Sequence, residues 1–279
     1  MKNLSAYADS SFDYYSGAKE RKQSEDLKNR LIKIDLTLCA DFDDYDKCFY
    51  ARALNNLQIK SIYNSYKEDL LSLYSYKSFM IQKLKDRIIS INPKTVSNTC
   101  QYCTINSFNS MDHVLPKSDF PQFSVHPKNL FPSCTECNSY MSKVYEQTGS
   151  KPFLNLYIDV LPDVQYLFVD VIADAFTGVN FNYNLINCDD LIDEEIFKQI
   201  ESHYTRLNLF IRMKKASIEI IDELINDMKP IVRRYGYEIA KDMAIDGINE
   251  NLIAYGKNHW RFICQKTLLN SQIFKNKCL

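Results

Sequence analysis

The chain has 279 residues and a net charge of −1, from 34 Lys and Arg against 35 Asp and Glu. This balance argues against a free-standing, high-affinity nucleic-acid binder, which usually carries a basic surplus. The apolar runs are far too short to span a bilayer and residues 1–11 lack the apolar core of a signal peptide, so we expect a cytoplasmic protein with no membrane partner.

The first region, residues 1–92, has neither Gly nor Pro between Gly17 and Pro93. Apolar residues recur there mostly at three- and four-residue steps, which predicts a helical arm of two or three helices. We expect a break at the acidic patch Asp41–Asp46, interpreted as a loop and a helix start that favours negative charge.

The second region, residues 93–152, contains six of the eight prolines and short apolar runs, which indicates a compact, loop-rich unit that needs a staple. The third region, residues 153–279, begins with β-type alternation over Tyr166–Leu185 on either side of Thr177-Gly178, which predicts a β-hairpin. Helical spacing follows from Asp193, and Pro230 is expected to end or kink that helix. The predicted fold class is α+β, mainly α.

Basic charge is concentrated near the end of the sequence. Residues 251–279 contain no acid and five basic residues, namely Lys257, Arg261, Lys266, Lys275 and Lys277. A solvated tail helix and a surface that contacts phosphate or a partner carry equal weight for this segment.

Four of the nine cysteines have metal-ligand spacing, as Cys100-x-x-Cys103 and Cys134-x-x-Cys137. Two such pairs predict a tetrahedral four-cysteine site for structural Zn²⁺. Because four thiolates leave no open position, this zinc should stabilise the fold and take no part in chemistry. Of the other cysteines, we expect Cys278 to be an exposed thiol and the remaining four to be buried: Cys39, Cys48, Cys188 and Cys264.

The stretch between the two cysteine pairs contains residues that a pure zinc knuckle does not need. Asp112 and His113 are adjacent, so in a strand one side chain could bind metal while the other activates water. Asn138 follows Cys137 where a helix should begin. One carboxylate and one amide oxygen, with several waters, suit Mg²⁺.

Order, spacing and residue types over Cys100–Asn138 resemble the HNH (ββα-metal) nuclease motif in its zinc-stapled form. The resemblance rests on Asp112-His113 with Pro116, then Asn129-Leu130, then Cys134-x-x-Cys137-Asn138. It implies a zinc-stapled ββα-metal core in residues 93–152, flanked by N- and C-terminal helical arms.

The resemblance also implies a role for each matching residue. Asp112 and Asn138 would be ligands of a catalytic Mg²⁺ or Mn²⁺, His113 the general base, and Asn129 the residue that braces the loop and positions His113. The family often carries Lys three residues after the helix Asn, whereas this chain has Met141 there.

Two further residues have less defined assignments. Lys143 is the lysine nearest to Met141, but it does not occupy the position of the family Lys, so we assign it no phosphate-contacting role. His126 precedes a proline, and we interpret it as a structural loop histidine rather than one that approaches metal or substrate.

The flanks are similar to PtuB-like HNH proteins of Septu and retron anti-phage systems. This similarity implies a nuclease that cuts nucleic acid, DNA or RNA, in a complex with an SMC/ABC-type, PtuA-like ATPase, or with a retron reverse transcriptase and its DNA. The alternatives are a retron toxin that cleaves RNA such as tRNA, and a catalytically silent zinc-stapled adaptor that binds nucleic acid or protein.

Overall fold

The computed structural model describes residues 1–93, 98–141, 153–174 and 178–279. These residues are mainly helical with two small antiparallel sheets, which confirms the α+β, mainly α class. None of the described helices is both long enough and apolar enough to cross a membrane. The chain divides into an N-terminal unit, Asn3–Tyr102 with Ser107–Val160, and a C-terminal unit, Met1–Lys2 with Cys103–Asn106 and Leu161–Leu279.

The N-terminal unit contains six described α-helices and one sheet. Five helices lie in residues 1–92, more than the two or three expected, because the long apolar stripe is divided by turns and 3₁₀ segments. The elements are α1 (Ser11–Glu20), α2 (Glu25–Ile32), α3 (Asp35–Tyr50), α4 (Lys67–Ser72), α5 (Phe79–Ile91), β1 (Ser110–His113), β2 (Leu130–Ser133) and α6 (Thr135–Tyr140).

Helix α3 runs unbroken through Asp41–Asp46, so the predicted break there is wrong. Phe42 and Tyr45 are both buried in the core of the unit and hold this turn of the helix in place. The Asp41 carboxylate is buried as well, but it accepts a 2.5 Å hydrogen bond from Lys60. Burial of an acid is tolerated when it is paired, so the acidic patch does not need a loop.

One hydrophobic core connects the helices with the first sheet. Met111 of β1 and Leu130 of β2 are fully buried in the same cluster as side chains of α1, α3, α4 and α5. The two strands are antiparallel, with Met111 opposite Pro132 and His113 opposite Leu130. The strands that carry the candidate site are therefore held by the same packing that holds the N-terminal helices.

The C-terminal unit begins with the predicted hairpin, which is confirmed as two paired strands. The predicted turn residue Thr177 lies outside the described residues. The elements are β3 (Leu167–Ile172), β4 (Asn180–Leu185), α7 (Glu194–Arg206), α8 (Leu209–Tyr235), α9 (Tyr237–Tyr255), α10 (Trp260–Leu269) and α11 (Gln272–Cys278).

Helix α8 continues through Pro230, so this proline does not end it. Proline inside a helix costs about 3 kcal/mol because it removes a hydrogen bond and clashes with the preceding turn. Buried Met228 and Val232 lie on either side of Pro230, and their packing offsets that cost. The helix ends at Tyr235, followed by Gly236 with a φ of 80°.

The basic segment at residues 251–279 is largely neutralised by partners within the C-terminal unit. Three of its five cations form ion pairs: Lys257 with Asp163, Arg261 with Glu223 and Lys275 with Glu238. Lys266 donates a 3.0 Å hydrogen bond to Asn249. These contacts favour a solvated helical tail over a surface that binds phosphate.

Two of the cysteine assignments are wrong. Cys188, expected to be buried, is exposed in a 3₁₀ turn. Cys278, expected to be an exposed tail thiol, is buried because the last turn of α11 packs into the unit. Cys264 is fully buried as expected, whereas Cys39 and Cys48, also expected to be buried, are only half-buried.

Candidate functional site

The two Cys-x-x-Cys pairs converge on one point. The sulfurs of Cys100, Cys103, Cys134 and Cys137 all lie within 4.8 Å of one another, and all four residues are buried. Tetrahedral zinc with Zn–S bonds of about 2.3 Å holds its sulfurs about 3.8 Å apart. The cluster therefore fits a closed structural zinc site, as the spacing predicts.

Backbone N–H groups at both knuckles point at the sulfurs. The N–H of Ile105 donates to Sγ of Cys103, and the N–H of Cys137 donates to Sγ of Cys134, both at 3.4 Å. Thr104, between Cys103 and Ile105, has a φ of 55°. Donors directed at sulfur stabilise thiolate charge, which is the form that binds metal.

Asp112 lies in the middle of the β1–β2 ladder, opposite Phe131. Its side chain is 8% exposed, and Oδ2 is buried without a hydrogen-bond partner. Burial raises the pKa of this carboxyl to about 7, and the backbone N–H of His113 and the charge of Lys117 lower it by less. A buried carboxylate with an unpaired oxygen is costly unless a cation binds to it.

His113 is the last residue of β1 and is partly buried. Its Nε2 lies 2.9 Å from the carbonyl oxygen of Ser124, so Nε2–H donates and the lone pair is on Nδ1. Loss of water around the ring lowers the pKa of His113 to about 4, although the bond to Ser124 opposes the shift. The imidazole is therefore neutral at pH 7 and able to accept a proton.

Ser124 and Tyr74, which both contact His113, are held in place by further hydrogen bonds. Ser124 is fully buried, and its hydroxyl donates to the carbonyl of Leu70 in α4 at 2.7 Å. The ring of Tyr74 packs edge-on against the imidazole at 4.6 Å between centroids. The hydroxyl of Tyr74 donates to the carbonyl of Met111 at 2.6 Å, so the tyrosine is tied to the strand that carries His113.

Asn129 is fully buried and uses both ends of its amide. Nδ2 donates to the carbonyls of Leu115 and Phe123, at 3.1 and 3.0 Å. Oδ1 accepts from the N–H of Leu115 at 2.7 Å and from the hydroxyl of Tyr45 at 3.2 Å. The side chain thus ties together both ends of the segment between His113 and Ser124.

Asn138 lies on α6, directly after the second cysteine pair. Its Nδ2 donates to the hydroxyl of Ser110 at 2.8 Å, so α6 holds Asn138 against β1. Ser110 and Asp112 are two residues apart in a strand and their side chains share one face. The structure therefore brings Asn138 to the face of β1 that carries Asp112.

His126 lies in the core and away from solvent. It is fully buried, and its ring packs against Phe42 and Tyr45 at 4.5 and 4.0 Å between centroids. Its Nε2 lies 3.4 Å from Oδ1 of Asp46, and burial lowers its pKa to about 4. This placement agrees with a structural histidine, while Lys143 lies outside the described residues.

Three residues that sequence reasoning did not assign to the site now contact it: Tyr45, Tyr74 and Ser124. In the sequence, Tyr74 is one of the apolar residues that recur at three- and four-residue steps in residues 1–92. Tyr45 and Asn129 are 84 residues apart in the chain. No local spacing signals contacts of that range, so the sequence offers no way to find them.

The chain is similar to Protein ea31 of Escherichia phage lambda, with 24% identity over 188 residues. The alignment covers 63% of this chain and 62% of the phage protein, so the chain spans less than two thirds of that relative's length. No family model matches the sequence, and no solved structure matches it.

Proposed function

We propose that this protein is a metal-dependent endonuclease of the HNH type that hydrolyses phosphodiester bonds in nucleic acid. The observation that carries the proposal is the pair Asp112 and His113 at the end of β1. Asp112 presents a buried carboxylate oxygen without a partner, and His113 presents a neutral imidazole with Nδ1 available to accept a proton. The order of elements, strand, strand, then the helix with Asn138, agrees with a ββα arrangement.

A divalent cation suits the donors present on this face of β1. Asp112 would supply a carboxylate oxygen and Asn138 an amide oxygen, the ligand types that Mg²⁺ and Mn²⁺ prefer. The unpaired Oδ2 of Asp112 is the observation that supports the fit, because a cation would offset its burial. When bound, such an ion would stabilise the negative charge that develops on the phosphate and leaving oxygen.

The chain's own residues would carry the proton transfer. Nδ1 of His113 would accept a proton from the attacking water, while Nε2–H stays bound to the Ser124 carbonyl and keeps the ring oriented. Asn129 would hold the loop that presents Ser124. Positioned general-base catalysis of this kind contributes about 10²–10⁴-fold to a rate.

The test is cleavage of plasmid DNA and of tRNA by the purified full chain with Mg²⁺ or Mn²⁺. His113→Ala and His113→Gln should each lower the rate at least about 100-fold, because neither side chain can take the proton. Gln can still donate to Ser124, so its thermal unfolding should match that of the wild type. Cleavage by His113→Ala at the wild-type rate would show that the mechanism is wrong.

Asp112→Asn separates the nuclease from the silent adaptor. In a nuclease this variant loses cleavage without losing stability, since it removes a buried charge and keeps the shape. If the protein is a silent adaptor, the wild type cleaves nothing, and the Asp112→Asn variant binds the partner as tightly as the wild type does. The DNA and tRNA arms report which polymer is the substrate.

We also propose that an SMC/ABC-type, PtuA-like ATPase partner supplies part of the nucleic-acid affinity, as the resemblance to PtuB-like proteins implies. The near-neutral charge and the paired cations of residues 251–279 support a chain that binds nucleic acid weakly by itself. Co-purification with the product of a neighbouring ATPase gene tests this. Full-rate cleavage by the isolated chain, unchanged when that product is added, would contradict it.

A further inference from the structure

Lys117 is an exposed lysine four residues after His113, on the loop that Asn129 braces. Its Nζ lies 4.8 Å from the centroid of the Tyr74 ring. The same ring packs against the imidazole of His113. One aromatic side chain thus contacts both an ammonium group and the candidate general base.

The loop that carries Lys117 is anchored on its other side. Nζ of Lys67 donates to the carbonyl of Ser118 at 2.7 Å, which fixes the backbone next to Lys117. Within the described ranges Lys117 forms no ion pair with an acid, in contrast to most cations of residues 251–279. Its charge is therefore available to a ligand.

We propose that Lys117 binds the phosphate group that is cut, with Tyr74 holding its ammonium beside His113. The proposal rests on the proposed nuclease function and deepens it by naming a further residue that contacts substrate. A lysine attracts phosphate as a point charge and does not need the rigid bidentate geometry of an arginine. A flexible side chain on an aromatic face can therefore make this contact.

The experiment compares Lys117→Ala and Lys117→Arg with the wild type in cleavage and in binding of a fluorescent oligonucleotide. Lys117→Ala should lower kcat/KM about 10- to 100-fold, and the slope of log binding constant against log salt should fall by about 1. Lys117→Arg should recover most of both. Thermal unfolding should not change, because the side chain is exposed.

Two control variants separate substrate contact from support of the loop. Lys67→Ala removes the anchor at Ser118 but leaves the Lys117 charge, so it should keep the salt slope. Lys85 lies over the ring of Phe108 at 5.5 Å, a similar cation–aromatic pair, and Lys85→Ala should leave kcat/KM unchanged. Equal losses in Lys67→Ala and Lys117→Ala, both with the wild-type salt slope, would overturn the proposal.

The outcomes also separate this proposal from the nuclease function. If the wild type cleaves and His113→Ala does not, but Lys117→Ala cleaves with the wild-type kcat/KM, only the role of Lys117 is wrong. If the wild type binds the oligonucleotide without cleaving it, the nuclease function is wrong, and the salt slope of Lys117→Ala still decides the phosphate contact. If the wild type neither binds nor cleaves, alone or with the ATPase partner added, both proposals are wrong.

Discussion

The cysteine cluster and the Asp112–His113 pair are close in sequence, but they differ in whether their polar atoms have partners. The cluster brings four buried sulfurs together, and backbone N–H groups already point at them. Asp112 instead keeps a buried oxygen without a partner, and His113 keeps one nitrogen lone pair available. A complete donor set holds a fold, whereas an incomplete one held rigidly in place is suited to binding and chemistry.

Removal of one sulfur is the strongest test of this contrast. Cys137→Ser should abolish zinc binding and lower the free energy of unfolding by on the order of 5 kcal/mol or more, because binding of structural zinc is coupled to folding. Zinc content per chain by atomic absorption and thermal unfolding by circular dichroism measure the two effects. Cys188→Ser, at an exposed cysteine, should change neither. Metal-free wild-type protein that unfolds at the same temperature as zinc-loaded wild type would contradict a zinc staple.

The loop that follows His113 depends on hydrogen bonds instead of a metal, and Asn129 is the residue to change. Asn129→Ala leaves the N–H and carbonyl of Leu115 and the carbonyl of Phe123 buried without partners. Each such group costs about 1–3 kcal/mol, so we expect about 3–5 kcal/mol less stability in urea denaturation.

Tyr45→Phe serves as the matched control for Asn129→Ala. It removes only the hydroxyl that bonds to Oδ1 of Asn129 and should cost about 1 kcal/mol. If the two variants are destabilised equally, Asn129 does not brace the loop. The hydrogen bonds of Asn129 would then not be what holds the loop after His113 rigid.

The smallest expected effect is the change of folding stability with pH that the buried His126 contributes. Burial lowers its pKa to about 4, whereas the unfolded chain takes up this proton near pH 6.5. Below pH 6.5 the unfolded state therefore binds more protons, and stability should fall down to about pH 4 by at most about 1.4 kcal/mol per pH unit.

His126→Phe removes this titration and keeps an aromatic ring in the core. Urea denaturation at pH 7, 5.5 and 4 should show the gap between wild type and variant changing in favour of the variant as the pH falls. Parallel curves over that range would mean that His126 is not held neutral by the fold.

Much of the candidate site is visible in the sequence because its parts are short and local. Two Cys-x-x-Cys pairs, an Asp-His pair and an Asn after the second cysteine pair need only the geometry of a knuckle, a strand and a helix start. The hairpin of β3 and β4 follows from alternation for the same reason. The predictions that are wrong concern burial: a break within α3, a buried Cys188 and an exposed Cys278.

The sequence by itself determined which ligand types are available and how they are spaced, since these are properties of neighbouring residues. Only the tertiary structure decided which atoms remain without partners. Asn129 is fully engaged while Oδ2 of Asp112 is not, and His113 donates through Nε2 because Ser124 faces it. The physical reason is that a hydrogen bond or the loss of water depends on groups from distant segments, which only packing brings together.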